Sequence, residues 1–127
     1  MPEIRSFAAI RYGQSLAGRL SDLVAPPYDV LDEEGKVALQ KRHPNNIVTV
    51  DLPHLPPKTV GPDSSYASAN QTLRNWLAQG VLVKDEHPAF YAYAQTYAHG
   101  QRTFHRRGFF AQVKLSPFGQ GQVVPHE

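Results

Sequence analysis

The sequence predicts an α+β fold: a small mixed or antiparallel sheet with a long C-terminal hairpin and two helices packed on one face. Three stretches carry that expectation. Asp32 stands directly before Glu33-Glu34, the pattern of a capped helix start with anions in its first turn. Tyr66, Ala69, Leu73, Trp76 and Leu77 recur at helical spacing after Asp63. Residues 89–115 alternate small apolar and polar or aromatic side chains on both sides of His99-Gly100, as two paired strands would.

Composition narrows the function classes. A chain of 127 residues suits one small domain with a single core. A net charge of +2 is too small to argue a nucleic-acid or membrane surface from total charge, so local clustering must decide. The absence of cysteine excludes disulfides, thiolate metal sites and Cys nucleophiles, and suits a reducing compartment. The first residues lack the basic start and apolar run of a signal peptide, and no apolar stretch is long enough to span a bilayer. These features together predict a cytoplasmic protein with no membrane contact.

In chain order, Ser6 to Arg11 reads as a first strand. Tyr12 to Asp22 is a loop whose Gly13 and Gly18 fit neither nucleotide-binding fingerprint. Leu23 to Leu31 contains Pro26-Pro27, which fix two φ angles and remove two donors, so a stiff extended bend delivers Tyr28 and Asp29 just before a helix. That bend is either a structural corner in which Asp29 caps a turn or a rigid loop presenting two polar side chains to a ligand. The helix from Asp32 runs to about Arg42 and stops at His43-Pro44. Ile47 to Leu52 is rich in β-branched residues between Asn45-Asn46 and Pro53, and predicts a buried strand. Pro53 to Asp63 is a loop, Asp63 is expected to cap the second helix, and Gly80 to end it in a left-handed conformation. Trp76 belongs to the core stripe of that helix, and Val81 to Val83 forms a short strand.

For the hairpin, a two-residue turn at His99-Gly100 sets Ala98 against Gln101, Thr96 against Thr103 and Phe90 against Phe109. Phe90, Ala92, Ala94, Phe109, Ala111, Val113 and Leu115 then form one face, assigned to the core under the Trp76 helix. Tyr91, Tyr93, Gln95 and Tyr97 form the other, with Tyr97 opposite Arg102 and Tyr93 opposite Arg106. This face reads either as cation–π pairs on a solvated surface or, with Arg107, as a bidentate phosphate site. At the C-terminal end, His126-Glu127 offers a base or a metal ligand, although neighbouring strand residues point to opposite faces.

The order of Ala25-Pro26-Pro27-Tyr28-Asp29-Val30, His43-Pro44-Asn45-Asn46, Val50-Asp51-Leu52-Pro53, Leu73-Arg74-Asn75-Trp76-Leu77, Gly80-Val81-Leu82, Tyr91 to Tyr97, Arg106-Arg107-Gly108-Phe109 and Val124-Pro125-His126-Glu127 resembles the start of the prokaryotic family catalogued as domain of unknown function 1015. The resemblance implies that residues 1–127 are one domain, the N-terminal fragment of a longer protein, with Pro125-His126-Glu127 an interior motif. More distantly, the chain resembles the ParB/sulfiredoxin-like proteins, which include free-serine kinases. It departs from the ParB-type box because Phe104-His105 precede Arg106-Arg107.

Two functions follow as expectations. The first is small-molecule phosphoryl transfer on an amino acid such as serine or its phosphate ester. Arg106 and Arg107 hold phosphate and Tyr28 and Tyr93 contact substrate. Asp29 or Glu127 orients or deprotonates a hydroxyl or holds Mg²⁺, His126 assists, and a nucleotide with Mg²⁺ is the cofactor. It requires the proline bend and the ribbon arginines to converge on one pocket. The second is a non-catalytic module whose Tyr/Arg face binds single-stranded nucleic acid or a protein. The low net charge and the flanking Asp85 and Glu86 weigh against nucleic acid.

Overall fold

A computed structural model describes residues 2–55 and 59–117. In chain order the elements are β1 (Ile4–Arg5), β2 (Ile10–Tyr12), α1 (Leu20–Leu23), α2 (Glu33–Arg42), α3 (Val48–Asp51), α4 (Asp63–Ala78), β3 (Leu82–Lys84), β4 (Tyr91–His99), β5 (Arg102–Phe110) and β6 (Gln112–Val113), with 3₁₀ turns at Gln14–Arg19 and Tyr28–Val30. The chain divides into two compact units, Ile10–Lys84 and Met1–Ala9 with Asp85–Glu127. The α+β class holds, and the described strands form three antiparallel pairs, β1-β6, β2-β3 and β4-β5.

In the helical unit the Asp32 carboxylate accepts the Gly35 N–H at 2.7 Å and caps α2, as its position before two glutamates predicts. Leu39 packs with Val48 and Leu52, and Ala25 and Leu31 close over this cluster. Fully burying such side chains stabilises by roughly 1.5–3 kcal/mol each. Trp76 and Ala69 are buried on α4, as the stripe predicts, and Gly80 takes φ +71° just past its end. Asp63 is not the cap of α4; Pro62 precedes the helix and Asp63 lies in its first turn, where a carboxylate still suits the dipole.

The expected strand at Ile47 to Leu52 is instead a helical turn. Asn46 decides it. Its side-chain oxygen accepts the Val48 N–H at 3.0 Å, and the backbone closes from Asp51 N–H to Ile47 C=O at 2.9 Å and from Leu52 N–H to Val48 C=O at 3.0 Å. Val48 and Leu52, four residues apart, therefore face the core together, so tertiary burial overrides β-branched propensity. The Asn46 amide nitrogen donates to the carbonyls of Asp22 at 2.8 Å and Val24 at 3.1 Å, while Ile47 N–H donates to Leu23 C=O at 2.8 Å. The Tyr12 hydroxyl reaches Asn45 C=O at 2.7 Å and Leu23 C=O at 3.2 Å, and burial pushes its pKa up.

The ribbon β4-β5 forms, but its turn is Gly100-Gln101 rather than His99-Gly100. The first central position of such a turn takes positive φ, which Gly100 supplies at +60° while His99 stays in the strand. Partners therefore shift by two: Tyr97 faces Phe104, Gln95 faces Arg106 and Tyr93 faces Gly108. A shift of two leaves each side chain on its predicted face. The assignment of one face to the core fails, since Phe90 and Phe109 are 52% and 60% exposed. The outer strand also breaks at Ala111, and β6 pairs with β1 through Ile4–Val113 and Arg5–Gln112.

Replacing Asn46 by Ala strands one buried N–H and two carbonyls, and lowers stability by about 2–4 kcal/mol in a denaturant titration. Asn46→Asp, which keeps an acceptor for the Val48 N–H but loses both donors, costs at least as much. The Lys36 side chain is buried on α2, and desolvation holds its ammonium below the ordinary pKa of 10.5. The unfolded chain then binds the proton more readily than the folded one, so stability rises with pH up to about 10.5. Lys36→Met accordingly raises the Tm at neutral pH, and its advantage over the parent shrinks as the pH nears 10.5.

Candidate functional site

Pro26 and Pro27 offer no N–H of their own, so the bend is held from both ends. Upstream, three successive carbonyls are taken by Asn46, Ile47 and Tyr12; at its ends, Ala25 and Leu31 pack on the core. Between those anchors a 3₁₀ turn closes, with Val30 N–H donating to Pro27 C=O at 3.2 Å and Leu31 N–H to Tyr28 C=O at 3.3 Å. Tyr28 and Asp29 are thereby fixed yet exposed.

They line a cleft of about 600 Å³ together with Asp51, His54, Val60 and Tyr66. Its volume is of the order that small metabolites occupy. The helical turn at 48–51 sends Leu52 into the core and leaves Asp51 exposed at the cleft. The His54 and Tyr66 rings meet edge to face at 5.6 Å, and the Tyr66 hydroxyl accepts the Gly61 N–H at 3.1 Å. Gly61 lies against the His54 ring so closely that a Cβ would collide with it. His54 Nδ1 is buried without a protein partner among the described residues.

Charge gives the cleft its chemistry. Asp29 and Asp51 contribute carboxylates, Tyr28 and Tyr66 contribute phenols, and its described lining holds no Lys or Arg. Such walls suit an ammonium and hydroxyl groups. Among the described residues no three His, Asp or Glu side chains gather to hold a metal ion. A cage built by the protein alone is therefore not what these residues fit; Mg²⁺ would be shared with ligand phosphates, as Mg²⁺ commonly is. A second hollow, beside β1 and β6, contains Arg5 and Lys114, but both cations are paired with Glu3, at 2.6 and 3.2 Å.

Of the residues the sequence singles out, Tyr28 and Asp29 share the cleft. Arg106 and Arg107 lie on the ribbon, opposite Gln95 and Ala94, and being adjacent in a strand they occupy its two faces. Asp29 belongs to the helical unit and the arginines to the other. The Tyr93 ring covers Gly108, where a Cβ would sit 2.5–2.6 Å from it, and leans on Phe110 at 5.1 Å. His126 and Glu127 lie outside the described residues. Asp51, His54 and Tyr66 are not among the expected site residues. For Asp51 the signal was Asn46, whose side-chain oxygen takes the Val48 N–H and so starts a helical turn where propensity reads strand.

Fold and site thus define an α+β protein with a small acidic, aromatic-walled cleft in its helical unit. The chain belongs to the family described as protein of unknown function (DUF1015), whose model matches residues 4–127. No curated protein and no solved structure matches it. The more distant ParB/sulfiredoxin-like and serine-kinase-like resemblances gain no support from these comparisons.

Gly61→Ala forces the His54 ring out of its seat between Gly61 and Tyr66. The expected result is a changed His54 imidazole signal by NMR and a loss of about 1–3 kcal/mol.

Proposed function

We propose that the Tyr28–Asp29 cleft binds the hydroxyl- and ammonium-bearing end of a small metabolite whose phosphoryl group the protein handles, with serine or its phosphate ester the class that fits. The observation that supports this reading is the delivery of Tyr28 and Asp29, on a bend anchored at both ends, into a cleft shared with Asp51 and His54. Two carboxylates attract the ammonium, and the phenols flank the carbon skeleton. Asp29 orients the hydroxyl and accepts its proton as the hydroxyl oxygen bonds to the γ-phosphorus of a nucleoside triphosphate and the bond to the departing diphosphate breaks, a step that asks mainly for positioning.

Among the described residues the cleft lining has no cation for phosphate. In this reading a nucleotide would supply the phosphoryl group and Mg²⁺ would neutralise its charge, with Asp51 the carboxylate available to that ion while Asp29 serves the hydroxyl. Arg106 and Arg107 belong to the ribbon, on its opposite faces, and the cleft reading does not call on them. His126 and Glu127 are the proposed second acid–base pair. The absence of cysteine and of any described helix able to cross a membrane supports work in the cytoplasm.

A thermal-shift screen of serine, phosphoserine, ADP and ATP with Mg²⁺ tests the reading. A bound ligand raises the Tm by several degrees at saturation. Asp29→Asn abolishes that rise, while the unliganded Tm stays put because the side chain is exposed. Unaltered binding in that variant would end the proposal.

A further inference from the structure

We propose that the ribbon face bearing Arg102, Phe104, Arg106, Tyr93 and Tyr97 binds single-stranded nucleic acid. This inference is independent of the cleft.

Charge segregation comes first. The overall charge of +2 conceals a local excess: residues 91–110 contain Arg102, Arg106 and Arg107 and no Asp or Glu. Of the two carboxylates before β4 that weigh against a polyanion, Asp85 accepts the Tyr91 hydroxyl at 2.6 Å, and Glu86 lies outside the ribbon. Among the described residues no carboxylate pairs with Arg102 or Arg106, and both are exposed. A second copy of the ribbon would set arginine against arginine. A polyanion is the complement.

Geometry then separates a nucleic acid from an acidic peptide. The register places Tyr97 opposite Phe104 with rings stacked at 5.6 Å and 18°, and they stay 50% and 40% exposed. Arg102, Phe104 and Arg106 alternate on one face, so cation, ring and cation recur about every 7 Å along the strand. That spacing is close to the rise per nucleotide of an extended single strand. Phosphates meet the guanidinia and a base stacks on the ring pair between them. An acidic peptide would engage the guanidinia and leave the ring faces without a partner.

Anisotropy of a short fluorescein-labelled oligo(dT) titrated with the full chain tests this. Affinity falls roughly tenfold between about 50 and 200 mM salt, as for two or three neutralised phosphates. Phe104→Ala weakens binding about tenfold and Phe104→Tyr restores it. Arg102→Gln with Arg106→Gln flattens the salt dependence, and Phe109→Ala, on the opposite face, stays within about twofold of the parent. Circular dichroism confirms that each variant keeps its fold. No binding at low salt, binding indifferent to salt, or Phe104→Ala binding like the parent overturns the proposal. So does a concentration-dependent dimer that excludes the oligonucleotide, which gives the face to a second copy.

Discussion

The helical unit rests on the side chain of Asn46, a fully buried amide whose three hydrogen bonds join two separated stretches of chain. Its nitrogen serves the carbonyls of Asp22 and Val24, and its oxygen starts the turn that becomes α3. The double proline makes this necessary, since Pro26 and Pro27 have no N–H with which the bend could anchor itself. Partners must come from elsewhere in the fold, and Asn46, Ile47 and Tyr12 supply them. A buried network of this kind specifies one arrangement because a half-satisfied version is costly.

The same amide sets the chemistry of the cleft. By starting a helical turn it sends Val48 and Leu52 to one side and leaves Asp51 on the other, within the cleft that receives Tyr28 and Asp29. His54 and Tyr66 complete the wall through a ring contact that Gly61 allows by having no Cβ. Support for fold and site is therefore shared. The polar atoms that hold the bend are buried, while the carboxylate it presents is exposed and free to meet a ligand.

The ribbon follows a different rule. A two-stranded sheet depends on cross-strand pairs, and here they are aromatic: Tyr97 on Phe104, Tyr93 across Gly108 to Phe110, and Phe90 edge-on to Phe109 at 6.2 Å. With rings providing the cohesion, the arginines are spared from structural ion pairs among the described residues.

Local chemistry made several features legible from residue order alone: the Asp32 cap, the Trp76 stripe, the left-handed Gly80, the stiff proline bend and the existence of a hairpin. Each depends on neighbours within a few positions. Three others needed the folded chain. Residues 47–52 have strand propensity, but the partners that overrule it, the carbonyls at 22 and 24, are more than twenty residues away. The hairpin register turned on whether His99 or Gly100 opened the turn, a choice between neighbours that alternation cannot make because both options keep the same faces. Burial of a ribbon face depends on what covers it, and a pattern of small apolar residues carries no information about a cover. The sequence by itself determined the class, the two long helices and the rigid presentation of Tyr28 and Asp29, because those follow from backbone restriction and local capping. Only the tertiary structure decided that Asp51, His54 and Tyr66 join them, because Asp51 depends on long-range hydrogen bonds to one buried amide, and the other two on a ring contact for which Gly61 leaves room.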